Sequence, residues 1–326
     1  MVNIYKIQVN DVKGQILKEL REGDGFISGE LLSKRLGISR VAVWKHIHSL
    51  QKDGYTVEAS PSGYHLLVSP DLLLPCEFPD LEQKINHFFK LSSTMDKARE
   101  LARRGVEEGT IVIAEQQVQG RGRLGREWLS MPGGIYFTLI LRPKISPTYA
   151  PKINLMASIA VANTIKKLFD LKAELKWPND VLIGEKKVCG ILAEMDAETD
   201  IINFVNLGIG INANNSIPRF EKTAISLKEL LGKEVSRKKF FGSVLMEIDR
   251  ERASLTKLDL IEEWKRISAT LNKYVRIVSP SEEIVGQAID IDSTGALIIK
   301  EKNGALKSVV AGDCIHLMKE DLNTDI

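Results

Sequence analysis

The segment at residues 69–80, SPDLLLPCEFPD, most constrains how this chain folds, because it holds three prolines and little periodicity. Proline fixes its own backbone and disfavours helix at the preceding residue, so regular structure is expected to stop here. The patterns on its two sides differ, and 326 residues suffice for two or three domains. We therefore predict an N-terminal domain over residues 1–68 and a linker over residues 69–80.

Residues 1–68 carry three short helical patterns followed by a hairpin. An amphipathic helix is predicted over residues 11–21, a second after Ser28 that stops at Gly37, and a third from Ser39 to Gly54. The strands TVEAS and YHLLV flank a Pro-Ser-Gly turn and predict a β-hairpin. Two short helices, a glycine turn and a longer helix are typical of a helix-turn-helix, and the hairpin makes it a winged helix.

The third helix has an apolar face and a basic face. The face expected in the core carries Val43, Ile47 and Leu50, and the opposite face carries Val41, Lys45, His48 and Lys52. Between Phe26 and Lys52, five Lys or Arg and one acidic residue give a local charge of +4, although the whole chain carries only +2. A basic exposed helix suits the major groove of DNA. A winged helix used for protein contacts is the open alternative.

Beyond residue 80 two further regions differ in pattern. Residues 81–271 mix strands and helices, including a strong helix over 155–169, strands over 188–195 and 201–211, and helices over 226–231, 238–253 and 257–267. Residues 272–326 contain short strands joined by Gly and Asn turns, which predicts a small β-barrel. We therefore expect a central domain over 81–271 and a C-terminal domain over 272–326.

The loop GRGRLGR at residues 120–126 is the most informative motif. It fits G-x-G-x-x-G, but a non-helical stretch follows it and no acidic residue lies about 20 positions on, which excludes a dinucleotide-binding turn. A P-loop motif is also missing from the sequence. Glycines let backbone amides approach an anion, and arginines bring forked donors for carboxylate or phosphate. The loop thus predicts an anion clamp, with an exposed basic loop or a nucleic-acid contact as equal alternatives.

Two other motifs offer polar groups. KWPND at residues 176–180 places an amide and a carboxylate after a stiff Trp-Pro corner, and Lys187 follows at the start of a strand. One carboxylate and two lysines beside an arginine loop suit a magnesium-bound triphosphate. The hydroxyls of SST at residues 92–94 could bind a polar ring. Taken alone, KWPND could be a surface turn and SST a helix N-cap.

The bulk composition narrows the class of protein. Hydrophobic residues make up 44% and charged residues 27%, as in ordinary globular proteins. The three cysteines are far apart in sequence, which argues against a zinc site or a disulfide framework. Neither a signal-peptide pattern nor an apolar run of membrane-spanning length is present, so we expect a cytoplasmic protein without membrane association.

Six motifs in one order resemble the biotin–protein ligases. They are SST at 92–94, GRGRLGR at 120–126, Trp128, KWPND at 176–180, Lys187 within KKVCGIL, and LGIGIN at 207–212. SRVAVWKHIHSLQKDGY and a wing ending in SGYHL resemble the DNA-binding domain of biotin repressors. The similarity covers residues 10–318 and is to the bifunctional group of biotin ligases and repressors.

This resemblance implies a fold and an activity. The fold class is a multidomain α+β protein with an N-terminal winged helix-turn-helix, a central mixed β-sheet with flanking helices of the class II synthetase-like kind, and a C-terminal SH3-like barrel. The activity is formation of biotinyl-5'-AMP from biotin and ATP with Mg²⁺, followed by transfer of biotin to a lysine of a biotin carboxyl carrier protein. The resemblance also implies a biotin-responsive repressor that dimerises with ligand on an inverted-repeat operator.

The resemblance assigns roles to individual residues. The catalytic residues are Lys187, Arg121 and Arg123. The biotin-binding residues are Ser92, Ser93, Thr94, Gln117, Arg121, Arg123 and Lys187. The ATP-binding residues are Arg123, Arg126, Trp128, Lys176, Asn179, Asp180 and Lys187, with Asp180 also as the metal ligand. The DNA contacts are Ser39, Arg40, Lys45 and His48. Met95 and Leu124 depart from the commoner pattern, where many members have Asn and some have Arg, so neither is expected to contribute a polar group.

Three other functions stay open on the sequence alone. A lipoate–protein ligase shares the adenylation chemistry, although the GRGR-type loop and KWPND favour biotin. A transcription factor could use a ligase-like domain only to sense a ligand, although the intact Lys187, Asp180 and Arg123 argue against this. A ligase could also retain a winged helix that no longer binds DNA.

Overall fold

The computed structural model describes residues 12–255, 259–279 and 282–317, and the chain divides into two compact units between His87 and Phe88. The first unit contains three helices and a hairpin. They are α1 (Val12–Glu22), α2 (Gly29–Leu36), α3 (Arg40–Lys52), β1 (Thr56–Ser60) and β2 (Gly63–Val68). The predicted helix-turn-helix and its hairpin wing are therefore confirmed.

Side-chain caps fix the ends of the two helices of the helix-turn-helix. Ser28 accepts a hydrogen bond from the Leu31 amide, and Ser39 accepts one from the Ala42 amide, both at 3.1 Å. Gly37 ends α2 in the left-handed conformation that glycine adopts without strain. The predicted apolar face of α3, Val43, Ile47 and Leu50, is buried in the core of this unit.

The predicted linker is folded in its C-terminal half. Two short 3₁₀ turns, Pro75–Glu77 and Pro79–Leu81, each begin at a proline. Leu74 and Cys76 are buried in the hydrophobic core of the first unit. The proline-rich segment thus packs on the winged helix, while its predicted boundaries at 69 and 80 stay a prediction.

The second unit is built on a seven-stranded sheet with the order β3-β4-β5-β9-β8-β7-β6. Its strands are β3 (Ile85–Leu91), β4 (Ile111–Gln117), β5 (Ile135–Leu141), β6 (Ala173–Lys176), β7 (Asp180–Ile183), β8 (Lys186–Ala197) and β9 (Ile202–Ile211). Along the sheet, every pairing between β4 and β6 is antiparallel. Isolated parallel bridges join Leu175 to Ser268 and Lys187 to Ala224. The expected central sheet of mixed strand direction is confirmed.

Five helices accompany this sheet. They are α4 (Thr94–Arg103), α5 (Pro151–Phe169), α6 (Leu227–Leu231), α7 (Arg237–Arg252) and α8 (Asp259–Arg266). Helix α5 begins four residues before the predicted start at residue 155, with Pro151 in its first turn. Most of its residues are buried, and it packs on α7, α8 and strands β6 to β8. Residues 257 and 258 of the predicted last helix lie outside the described residues.

The C-terminal part is a five-stranded antiparallel sheet with the order β13-β12-β11-β10-β14. Its strands are β10 (Tyr274–Val278), β11 (Glu283–Ile291), β12 (Leu297–Lys300), β13 (Leu306–Val309) and β14 (Asp313–His316). Within residues 274–316, apart from 280 and 281, strands β13 and β14 form the two edges and do not pair with each other. The strands are confirmed, and the closure into a barrel is not.

In the part of the chain that the structure describes, no helix has the length and apolar character that crossing a membrane requires.

Candidate active site

Trp128 lies flat against two neighbouring strands at paired glycines. Gly190 of β8 pairs with Gly210 of β9 in the antiparallel register. A Cβ atom added at Gly210 would be 2.5 Å from Trp128 Nε1, and one added at Gly190 would be 2.7 Å from Cζ3. Both distances are too short for real atoms, so the indole needs glycine at both positions. Its Nε1–H is buried and has no hydrogen-bond partner among the described residues.

Lys187 lies over this aromatic platform near Gly190. Its Nζ is 5.1 Å from the Trp128 ring centroid and 2.7 Å from Asp180 Oδ1. Asp180 begins β7 and Lys187 lies at the start of β8, so one hairpin supplies both charges. The Lys187 amide donates to the Thr223 carbonyl at 2.7 Å, which fixes the backbone of this lysine. Both side chains of the pair are partly buried.

A polar network centred on Gln117 forms another wall. The side-chain oxygen of Gln117 accepts from the Thr94 amide at 2.7 Å and from the Thr94 hydroxyl at 3.0 Å. Its Nε2 donates to Ser130 Oγ at 2.7 Å, and Thr138 donates to the Thr94 hydroxyl at 2.9 Å. The network joins strand β4, the start of α4 and the segment after the arginine loop. It holds the Gln117 amide in one orientation.

The arginine loop folds back on itself. The Trp128 amide donates to the Gly120 carbonyl and the Gly122 amide to the Arg126 carbonyl, both at 2.8 Å. A Cβ at Gly120 would lie 2.3 Å from the Trp128 carbonyl, so this position requires glycine. Leu124 at the tip has a φ of 52° and an exposed side chain. A non-glycine residue in this left-handed region is uncommon.

The three arginines of the loop have different partners. Arg121 contacts Asp96 at 2.8 Å and Glu194 at 2.7 Å. Arg126 reaches Asp313 at the start of β14 through both of its terminal nitrogens. Arg123 is partly buried, and burial lowers its pKa while Asp180 and Asp313 act in the opposite direction. A guanidinium nevertheless stays charged at neutral pH.

The KWPND segment is anchored by structural contacts. Trp177 is 1% exposed, and its indole Nε1 donates to the Gly295 carbonyl at 3.2 Å. The peptide bond between Trp177 and Pro178 is cis. The side chain of Asn179 donates to the Ile191 carbonyl at 2.6 Å, and the Ile191 amide donates to the Asn179 carbonyl at 2.9 Å. Asn179 therefore ties this turn to strand β8.

One large cavity, about 1160 Å³ in volume, brings most of the predicted ligand-binding residues together. Its lining includes Thr94, Gln117, Arg121, Arg123, Arg126, Trp128, Lys176, Asn179, Asp180 and Lys187. Ser92 and Ser93 are not part of the lining. Ser92 is exposed and bonds Gln119, whereas Ser93 is buried and caps α4 at the Met95 amide. The sequence had left two roles open for the SST motif, and Ser93 has the structural one, as a helix N-cap.

Several lining residues had no individual role assigned to them from the sequence. They include Gly190, Gly208, Gly210, Asn212, Asn215, Lys273 and His316. The alternating glycines of LGIGIN were the available signal, because glycine inside a strand often marks a close approach. Met95 is buried, and its sulfur lies over Gly208, where an added Cβ would be 2.5 Å away. This contact is apolar, as the departure from the commoner Asn had suggested.

The first unit presents the residues predicted to contact DNA on the surface of its third helix. Arg40, Lys45 and His48 are exposed, and Ser39 is exposed but engages its hydroxyl as the N-cap. The His48 ring stacks parallel on Trp44 with centroids 5.6 Å apart. Trp44 is 55% exposed. The exposed face of α3 is therefore basic with an aromatic centre.

Comparison with known proteins identifies the family. Family models match residues 89–212 as the biotin/lipoate A/B protein ligase family, 13–65 as an HTH domain, and 270–317 as the biotin protein ligase C-terminal domain. The bifunctional ligase/repressor BirA of Bacillus subtilis is 36% identical over 308 residues, which cover 89% of this chain and 94% of that protein. This chain belongs to the bifunctional ligase/repressor family.

Other members of the family support the assignment. BirA of Escherichia coli is 30% identical over 319 residues, covering 93% of this chain and 97% of its own length. This chain matches the structure of the biotin protein ligase from Aquifex aeolicus in complex with biotin and ATP, with a TM-score of 0.63 and 29% identity. That match covers 72% of this chain and 98% of the other. The resemblance seen in the six motifs is therefore confirmed.

Proposed function

We propose that this protein is an ATP-dependent biotin–protein ligase that also acts as a biotin-responsive transcriptional repressor. The observation that carries the ligase activity is the Lys187–Asp180 pair beside the Trp128 platform, in a cavity that also contains the arginine loop. A flat aromatic face suits the base of a nucleotide. A fixed lysine and several arginines suit the phosphate and the carboxylate that must meet.

In the first step the biotin carboxylate attacks the α-phosphate of ATP, and pyrophosphate leaves. Two anions approach each other, so cations must offset the charge that develops. Lys187, Arg121 and Arg123 are the catalytic residues that we assign to this task. Biotin binds against Thr94 and Gln117. Ser92 and Ser93 do not line the cavity in this structure, and we propose that they contact biotin only once it is bound. Trp128 covers adenine, while Arg126, Lys176, Asn179 and Asp180 form the nucleotide side.

In the second step the lysine ε-amine of an acceptor domain attacks the mixed anhydride. An amide forms, the acyl–phosphate bond breaks, and AMP leaves. The nucleophile comes from the acceptor, a biotin carboxyl carrier protein, so the site needs to position the adenylate and exclude water rather than supply a nucleophile.

Magnesium fits this site as a partner of the nucleotide. Among the described residues no group of three His, Cys, Asp or Glu side chains forms a cage, and Asp180 is the carboxylate beside Lys187. Mg²⁺ commonly binds through one or two carboxylates together with substrate phosphates. Asp180 would hold it, and the ion would neutralise phosphate charge.

For repression we propose that ligand promotes a homodimer whose two winged helices bind an inverted-repeat operator. Ser39, Arg40, Lys45 and His48 are the proposed DNA contacts. We also propose domain limits of 1–68, 69–80, 81–271 and 272–326, an SH3-like barrel in the last, and a cytoplasmic location. Sedimentation and operator binding, each with and without biotin and ATP, test the dimer. An unchanged mass together with unchanged operator affinity would contradict it.

The decisive test of the ligase is transfer to an acceptor. Purified protein is incubated with biotin, Mg-ATP and a biotin carboxyl carrier domain, and the mass of the acceptor is measured. We expect one biotinyl group per acceptor, no transfer by Lys187→Ala, and normal transfer by Lys186→Ala, the exposed neighbour outside the cavity. Lipoic acid in place of biotin should give no product. Failure of the unaltered protein to transfer biotin would overturn the proposal.

A further inference from the structure

Thr270 forms a buried junction between the KWPND turn and the C-terminal sheet. Its side chain is 0% exposed. The Trp177 amide donates to Thr270 Oγ1 at 3.0 Å, and the same oxygen lies 3.0 Å from Nε2 of His316 in β14. One hydroxyl thus links a residue next to Lys176 with a strand of the C-terminal sheet.

The direction of one of these two hydrogen bonds follows from its donor, because the Trp177 amide can only donate and the Thr270 hydroxyl accepts from it. The hydroxyl keeps one proton and a second lone pair, so it bonds either tautomer of His316 at Nε2. Burial, together with the nearby charges of Lys176 and Lys273, lowers the pKa of His316 to about 4. The imidazole is consequently neutral at neutral pH.

Three further hydrogen bonds attach the same segment. The Trp177 indole donates to the Gly295 carbonyl, and Leu175 exchanges backbone hydrogen bonds with Ile267 and Ala269 at 2.9 and 2.8 Å. At its other end the turn reaches Asp180, which pairs with Lys187. A shift of this turn would therefore move both Lys176 and Asp180.

We propose that His316 is a positioning residue of the ligase site, which acts through Thr270 to hold the turn at residues 176–180 against the nucleotide. The inference rests on the proposed ligase function and extends it to a side chain of the C-terminal sheet. His316 and Lys176 line the same cavity as Gln117. In the proposed function Lys176 lies on the ATP side of this cavity and Gln117 on the biotin side. Disturbing the junction should thus weaken ATP binding selectively.

The test compares variants that remove the hydrogen bond with variants that retain it. His316→Leu and Thr270→Val each remove one partner of the Thr270–His316 hydrogen bond, whereas His316→Gln and Thr270→Ser each keep a group that can form it. Ser308→Ala removes a hydroxyl from exposed strand β13 of the same sheet and is the matched control. Each protein is assayed for its KM for ATP in biotin-dependent pyrophosphate exchange, for biotin affinity by calorimetry without ATP, and for its Tm.

The expected result is a split between the two substrates. His316→Leu and Thr270→Val should raise the KM for ATP about five- to tenfold, as the loss of one hydrogen bond implies. Biotin affinity should change less than about twofold over the same variants. His316→Gln and Thr270→Ser should restore most of the ATP affinity, and Ser308→Ala should resemble the unaltered protein.

Three results would overturn the inference. The KM for ATP could stay unchanged in both disrupting variants, or biotin affinity could fall in parallel with it. The conservative variants could also be as impaired as the disrupting ones, which would indicate a purely structural role. If the unaltered protein shows no pyrophosphate exchange, the proposed ligase function fails and the inference falls with it.

Discussion

Replacing Gly210 by alanine should weaken ATP binding by displacing Trp128. The new Cβ would lie 2.5 Å from Trp128 Nε1 and 2.6 Å from Cε2. Because carbon atoms pack at about 3.5–4.0 Å, the indole must move by roughly 1 Å away from strand β9. Stacking of a base on an aromatic ring contributes about 1–3 kcal/mol, so losing it raises the Kd for ATP by about 5- to 150-fold.

The assay measures ATP affinity and biotin affinity separately, by calorimetry or by pyrophosphate exchange. Gly208→Ala is the matched comparison on the same strand, because its Cβ would meet the flexible sulfur end of Met95 rather than the indole. We expect a smaller effect on ATP from Gly208→Ala. Biotin affinity in Gly210→Ala should stay close to that of the unaltered protein.

A double-mutant cycle makes the reasoning refutable. If Gly210→Ala acts through the indole, it should add almost nothing to the loss already caused by Trp128→Ala. Full additivity of the two changes would refute this explanation. So would an unaltered ATP affinity in Gly210→Ala alone, provided that the variant retains its Tm.

Further predictions concern the loop, the DNA-binding face and the cysteines. Glu194→Gln removes one of the two carboxylates that hold Arg121, and biotin affinity should fall by at most about fivefold because the contact is partly exposed; a larger fall would assign Glu194 a direct role. Lys45→Ala should weaken operator binding similarly for all DNA sequences, with biotin transfer intact, and should reduce the slope of log affinity against log salt concentration by about one. A loss of affinity that depends on one base position only would contradict a phosphate contact. Burial raises the pKa of Cys76 to about 11 and of Cys314 to about 12, so iodoacetamide at pH 8 should modify neither in the folded protein and both in urea, as mass spectrometry can show.

The elements of the first unit were predictable because each is encoded locally. The spacing of Val43, Ile47 and Leu50 gives α3 its buried face, and Ser39 supplies its N-cap. The packing of the proline-rich segment was not predictable in this way. Leu74 and Cys76 enter the core through tertiary contacts, whereas proline content indicates only that a long helix or strand cannot continue.

The candidate site was only partly accessible from the sequence. The cationic loop, Lys187 and Asp180 could be selected by their chemistry. The glycine pair beneath Trp128 depends on the register of β8 against β9, which a single sequence does not specify. The same holds for the contact of Arg126 with Asp313, because the two residues are 187 positions apart. Short strands were predictable in the C-terminal region, but their closure depends on edge pairing over long distances in sequence.

The ion pair between Lys187 and Asp180 affects which anions the cavity accepts. An unpaired lysine on a concave surface would attract any small anion, including free phosphate. Because Asp180 already balances that charge, an anion that binds only Lys187 must compete with an existing partner at 2.7 Å. A ligand that also contacts the aromatic face and the arginine loop compensates for the displaced carboxylate. The pair thus favours large anions that make several contacts, and we expect inorganic phosphate to be a poor inhibitor of the ligase.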